Sequence, residues 1–275
     1  MRRLCLVCAA LSLVASDATA QARCEAVGPH RIHACPYVGD APTLVLAAGA
    51  GQDSRTWSPV LDRLTTLGSV VTFDRPGLGS SPAVAGPRTP TRIARELHDV
   101  LATLEVSGPV VLIGHSMGGV HALRYADLYP ENVAAVVLID TPPPGFEQDR
   151  LALLTPQEQE QRRAALAAGR SRAVPAVGAE RDGAESEAWE FGRLPPDLPV
   201  RVIVADSQDF GELGSLEGHR ELWLRRSSQW LDVTENAELV VAAGSGHMVH
   251  HDRPTLVVDV VARLLAQLGL NGSPR

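Results

Sequence analysis

The stretch from Val110 to Tyr129 constrains the fold more than any other part of this chain. Val110-Val111-Leu112-Ile113 is a short β-branched run. It passes directly into Gly114-His115-Ser116-Met117-Gly118-Gly119, and a helical pattern follows through Leu123 to Tyr129. A G-x-S-x-G sequence between a strand and a helix demands a very tight turn that holds the serine in a strained backbone conformation. Side chains at positions 114 and 118 would collide with the adjoining strand and helix, which is why both are glycine. The turn lifts the Ser116 hydroxyl clear of the sheet. It also sets it at a helix N-terminus, whose dipole and free N–H groups favour developing negative charge.

The rest of the chain repeats the strand–helix rhythm. Leu44 to Ala48, Val70 to Phe73, Val136 to Ile139, Val202 to Val204 and Leu239 to Ala242 are further short apolar runs. Continuous β-branched runs of this length fit strands buried on both faces, as in a parallel sheet. Between them, Ile93, Leu97, Val100, Leu101 and Leu104 mark one helical face, and Thr89-Pro90 supplies a cap and a first-turn proline. A last helix begins near Pro254. The alternation predicts an α/β class chain with a doubly wound, mostly parallel sheet. From Pro142 to Pro199 no convincing strand occurs, so residues 142–199 are expected to form an inserted helical cap on a single domain spanning 21–275.

The N-terminus reads differently. Arg2 and Arg3 precede an apolar run from Leu4 to Ala15, and Ala18-Thr19-Ala20 gives the small residues of a cleavage site. This is the pattern of a secretory signal peptide over residues 1–20. It predicts a secreted or periplasmic protein, with no other stretch apolar enough for stable membrane insertion. Of four cysteines, Cys5 and Cys8 fall in the signal. Cys24 and Cys35 remain, flanking a strand–turn–strand with Gly28-Pro29 at its bend, and an oxidising compartment predicts a disulfide between them.

Composition narrows the chemistry. All 25 basic residues are arginine, and the formal net charge is -7. Without lysine there can be no Schiff base, no P-loop lysine and no serine–lysine dyad. The acidic balance argues against a nucleic-acid partner. Histidine is then the base left for Ser116. Of nine histidines, His247 has the best setting, in the loop Gly244-Ser245-Gly246-His247 beyond the strand Leu239 to Ala242. His250, His251 and Asp252 lack the further ligands a metal would need, and the two histidines read as solvated loop or first-turn residues. His115 points away from a tight elbow. The acid that orients the histidine is expected between residues 116 and 247 in the order Ser…Asp…His. Asp209, a few residues beyond the strand Val202 to Val204, is preferred, with Asp206 and Asp140 as alternatives. For the oxyanion, the small residues Gly49-Ala50-Gly51 at a strand end point to the backbone N–H groups of Ala50 and Met117.

Taken together, these residues resemble the α/β-hydrolase superfamily over nearly all of the chain from about Cys35 to Leu268. Gly49-Ala50-Gly51 resembles its oxyanion loop. Asp74-Arg75-Pro76-Gly77-Leu78-Gly79-Ser80 resembles its D-R-x-G-x-G-x-S turn, Gly114 to Gly119 its nucleophile elbow, and Ser245-Gly246-His247 its histidine loop. The resemblance implies that Asp74 and Arg75 order loops near the site. Two departures stand out: Ala48-Gly49 replaces the usual His-Gly pair, and no Gly-x-x-Asp follows Val204. Serine at 116 argues against the aspartate-nucleophile dehalogenases and epoxide hydrolases of this fold. The expected activity is hydrolysis of a small-molecule carboxylic ester through an acyl-enzyme, with no cofactor and no metal. Amidase, peptidase and cofactor-free perhydrolase chemistry share the same triad, and a non-catalytic binding protein is the alternative from another class. Phe146, Trp189 and Phe191 of the cap either line the substrate pocket or form a small core. Trp57 either borders the pocket or packs beneath it.

Overall fold

The structure is a computed structural model that describes residues 23–187 and 194–270. The expected signal segment and the cap residues Trp189 and Phe191 lie outside the described residues. Eight strands form one sheet: β1 (Glu25–Val27), β2 (Ile32–Tyr37), β3 (Thr43–Ala47), β4 (Ser69–Phe73), β5 (Val110–His115), β6 (Val133–Ile139), β7 (Val200–Ala205) and β8 (Ala237–Ala242). Their order is β1-β2-β4-β3-β5-β6-β7-β8. β1 and β2 are antiparallel to their neighbours, and every pairing from β4 to β8 is parallel. This is the mostly parallel sheet that the apolar runs predict.

The period-two alternation of the strands splits the core in two. Val45, Leu112, Val136 and Val202 face one side, where they pack with α2 (Pro90–Thr103), α3 (Met117–Leu128) and α7 (Leu216–Ser227). Leu46, Val111, Val137 and Ile203 face the other, against α1 (Ser58–Leu64) and α8 (Pro254–Gln267). β8 departs from the expectation of burial on both faces. It is an edge strand, and its Val241 is exposed.

Local signals set the helix ends. The Thr89 hydroxyl accepts the Arg92 N–H at the start of α2, with Pro90 in the first turn. Between β6 and β7 the chain builds α4 (Phe146–Ala152), α5 (Pro156–Arg172) and α6 (Pro175–Ser186). α5 opens with a reciprocal capping box between Thr155 and Glu158 and buries none of its residues. α6 instead buries Val177, Glu180, Gly183 and Ala184. A disulfide joins Cys24 and Cys35 across the β1–β2 hairpin. Among the described residues, no helix is long and apolar enough to cross a membrane.

Candidate active site

The C-terminal ends of β3, β5, β6 and β8 converge, as ligand sites do in parallel sheets. At the end of β5 the elbow forms. Ser116 sits at φ 51° and ψ -125°, a positive φ that an L-residue holds only when its surroundings enforce it. Its N–H donates to Ile139 O at 2.9 Å, pinning the elbow to β6. The glycines are required by contact. A Cβ on Gly114 would lie 2.5 Å from Gly119 Cα, and one on Gly118 would lie 2.0 Å from Ala47 O.

His247 lies on the loop after β8. Its Nε2 is 3.0 Å from Ser116 Oγ, and its Nδ1 is 2.6 Å from Asp140 Oδ2. The partner carboxylate is therefore Asp140, and the preference for Asp209 is corrected. Asp209 is exposed and accepts the N–H of Gly211 in a local turn. Asp206 faces elsewhere too. Its Oδ1 accepts the Gly244 N–H at 2.7 Å and the Ser207 hydroxyl, tying the loops after β7 and β8 together. The reason lies in the strand order. β6 is the immediate neighbour of β5, so a residue at its end needs no extra loop to approach the elbow. The end of β7 and the residues after it supply donors to the acid instead of the acid itself. Asp140 Oδ1 accepts the Ala205 N–H at 3.0 Å and Trp223 Nε1–H at 2.8 Å, and Gln208 Nε2–H donates to Oδ2. Burial pushes the Asp140 carboxyl above its ordinary pKa, and the bonds from His247, Ala205 and Trp223 oppose that rise.

His115, which its place before the elbow argued against, and Gln52, which the sequence did not single out, tie the loops together. His115 is buried beside the elbow. Its Nδ1 lies 3.0 Å from Gln52 Oε1, and its Nε2 lies 2.9 Å from the His247 carbonyl. Both neighbours are oxygen acceptors, while a neutral ring carries one N–H and bonds one of them at a time. Burial, then the charges of His250 and His247, lower the His115 pKa well below its usual value. Gln52 Oε1 also accepts the Gly49 N–H at 2.9 Å, and its Nε2–H reaches Met248 Sδ at 3.1 Å. Gln52 thus touches the Gly49 loop, the elbow and the histidine loop at once. Its place beside Gly49-Ala50-Gly51 was the only sequence signal for it. Trp223 and Gln208 carried none.

His250 is also corrected. It is buried, not solvated, with its Nε2 3.1 Å from Thr56 Oγ1 and its ring against Trp57 and His115. His251 is exposed, and its Nε2 lies 2.8 Å from Thr56 O. Trp57 packs in the core beneath the loops. Phe146 sits edge-on to Trp223 at 4.7 Å and near Phe210, so it belongs to a small aromatic core. Gly49 and Gly51 lie at the turn after β3, where Gln52 N–H donates to Gly49 O. A Cβ on Gly49 would stand 3.2 Å from Ser116 Cβ, so this loop closes on the serine. Asp74 accepts the N–H groups of Ser54 and Ser80, each at 2.8 Å, and so orders the adjoining loops. Among the described residues, Cys24, His33 and Cys35 have metal-ligand atoms within 4.8 Å of one another. Those two sulfurs are bonded to each other, and the group lies on the β1–β2 hairpin.

Comparison with known proteins adds to this geometry. The alpha/beta hydrolase family matches residues 44–260. YqjL of Bacillus subtilis (strain 168), whose activity is uncharacterized, is 24% identical over 215 residues, 78% of this chain and 80% of YqjL. RutD of Pseudomonas syringae pv. syringae (strain B728a), provisionally named a carbamate hydrolase, is 39% identical over 112 residues. That match spans 40% of this chain and 42% of RutD. Among solved structures, a thermophilic esterase from Thermogutta terrifontis superposes with a TM-score of 0.61 at 20% identity, covering 90% of this chain and 99% of the esterase.

Proposed function

The chain belongs to the alpha/beta hydrolase family, and from that premise we propose that it is a serine hydrolase that cleaves carboxylic esters. The observation that carries this reading is the unbroken chain of contacts Ser116 Oγ, His247 Nε2, His247 Nδ1 and Asp140 Oδ2. A serine hydroxyl needs a base within hydrogen-bond reach, and that base needs an oriented carboxylate.

The reaction follows from those contacts. Ser116 Oγ attacks the ester carbonyl carbon while its proton passes to His247 Nε2. Asp140 fixes the Nδ1–H tautomer and stabilises the imidazolium. The carbonyl oxygen gathers negative charge against the N–H groups of Ala50 and Met117. As the tetrahedral centre collapses, the alcohol leaves with the proton from His247. Water then attacks the acyl-enzyme, giving its proton to the same histidine, and the acid departs from Ser116. The Cys24–Cys35 disulfide supports a secreted or periplasmic setting.

A fluorophosphonate probe tests the reading directly. The expected result is a stoichiometric adduct on Ser116 in folded protein, absent in Ser116→Ala. Folded protein that gives no adduct and turns over no ester would overturn it. A carbamate carbonyl can undergo the same attack, and the partial likeness to RutD places aryl carbamates beside esters in the substrate panel.

A further inference from the structure

Beneath the cap, one arginine binds both the cap and the loop expected to supply the oxyanion donor. Arg75 is buried, as is Glu180 on cap helix α6. Arg75 Nε–H donates to Glu180 Oε1 at 2.8 Å, and Nη2–H donates to Oε2 at 3.0 Å. The other edge of the guanidinium meets the loop after β3. Nη1–H donates to Ala48 O at 2.6 Å, and Nη2–H donates to Gly49 O at 2.9 Å. Such a bidentate pair fixes the plane and the direction of the guanidinium. Burial pushes the Glu180 carboxyl up, but the charge and hydrogen bonds of Arg75 outweigh it and hold its pKa below the usual value.

The Gly49 carbonyl shares a peptide unit with the Ala50 N–H. In a planar trans peptide the two point in opposite directions. Holding the carbonyl on Arg75 therefore aims the Ala50 N–H the other way. The preceding unit is held likewise, with Ala48 O on Arg75 and the Gly49 N–H on Gln52 Oε1. A second bond to Gly49 O, from the Gln52 N–H at 3.2 Å, is longer. Cap helix α6 also touches this loop directly, since a Cβ on Gly51 would lie 3.3 Å from Val177 Cγ2.

We propose that Arg75 is a positioning residue for the oxyanion donor, and that Glu180 makes the seating of cap helix α6 a condition for that donor's alignment. The proposal rests on the hydrolase reading above, because an oxyanion donor matters only if Ser116 attacks a carbonyl. The cap then acts on the transition state through Arg75 and the Gly49 loop. Loosening α6 lowers kcat while leaving ground-state binding near its original value.

The test compares Arg75→Lys, Glu180→Gln and Glu147→Gln with the parent chain. Glu147 pairs with Arg162 inside the cap, away from Arg75, and serves as a control for general loosening of the cap. With an ester substrate, Glu180→Gln is expected to lower kcat ~10-fold and Arg75→Lys ~100-fold, each with KM changed less than ~3-fold. A trifluoromethyl ketone, whose adduct with Ser116 carries an oxyanion, should lose affinity in step with kcat/KM. Glu147→Gln should leave kcat and this affinity unchanged. The Ala50 amide resonance, read by selective 15N-alanine labelling, should shift in Glu180→Gln and not in Glu147→Gln. Unchanged kcat and ketone affinity in Glu180→Gln, or an unmoved Ala50 resonance in folded protein, would overturn the proposal. Parent chain that fails to react with any ester or with the fluorophosphonate would instead sink the hydrolase reading. The Ala50 resonance would then still decide whether Arg75 and Glu180 set this peptide.

Discussion

At the scale of single residues, the site depends on where one carboxylate is held. Asp140 is buried with four donors around its two oxygens, from His247, Ala205, Gln208 and Trp223. Asp140→Asn is therefore expected to lower kcat by ~10³–10⁴-fold, because the amide cannot fix the productive tautomer of His247. Asp209→Asn, at an exposed turn, should change kcat by no more than a few-fold. Steady-state rates on one p-nitrophenyl ester compare the three. An equal loss in Asp209→Asn would contradict the assignment. Ser116 and His247 could be picked out from glycine-rich turns at strand ends, because a tight turn leaves a local signature. Asp140 could not be picked out so clearly. It follows a continuous apolar strand and precedes Thr141-Pro142, a context that equally suits a capping residue. Its positive φ of 47° and its ring of donors are set by parts of the chain far away in sequence.

At the scale of elements, the hairpin and the elbow are stabilised by different physics. The Cys24–Cys35 disulfide closes a loop with a sequence separation of 11. Replacing both cysteines by serine should lower the unfolding free energy by ~2–3 kcal/mol through the entropy of the unfolded chain. Because β1 and β2 lie at the far edge of the sheet from β8, kcat of the folded variant should stay near the original. Denaturant melts and ester assays on the double variant check both halves. The elbow responds to contact, not to chain entropy. In Gly118→Ala, the new methyl would meet Ala47 O and force the β3–α3 contact apart, a cost of ~1–3 kcal/mol or more. Its thermal midpoint should fall, and fluorophosphonate labelling of Ser116 should slow. The strands were readable in advance because β-branched runs need burial on both faces. The same signal overstates the burial of β8, since an apolar run does not reveal that it will be last in the sheet.

Across the whole molecule, buried histidines set a dependence on acid. Burial, reinforced by Arg75 and Arg88 and opposed by Glu180, lowers the His121 pKa from 6.5 to about 3. Burial and the charges of His251 and His247 lower His250 from 6.5 to about 3 as well. Unfolded chains take up protons at these positions below pH 6.5, while the folded protein does not until about pH 3. The stability they permit is thus complete above pH 6.5 and declines as the pH falls toward 3. At pH 5 the loss is ~2 kcal/mol for each histidine. Urea titrations from pH 8 to 5 should record this fall, and His250→Gln should make it shallower by ~2 kcal/mol at pH 5. A flat profile over that window would refute the assignment of neutral buried rings. Neither histidine was identifiable as buried from sequence. His250 stands beside the exposed His251, and only the packing of Trp57 and His115 against it distinguishes the two.

The sequence alone determined the parts that depend on local geometry. Glycines at 114 and 118, β-branched runs and capped helix starts act over a few residues, so their meaning is written where they stand. The serine, its histidine, the parallel sheet and the helical insertion before Pro199 follow from them. Tertiary structure alone decided which aspartate faces His247, because that choice depends on β6 lying beside β5 and on donors from β7 and α7. It alone joined Arg75 to Glu180 and to Gly49, three residues from separate loops and helices. Charged groups so far apart in sequence can stabilise one another only after the sheet has formed and the cap has closed water out around them.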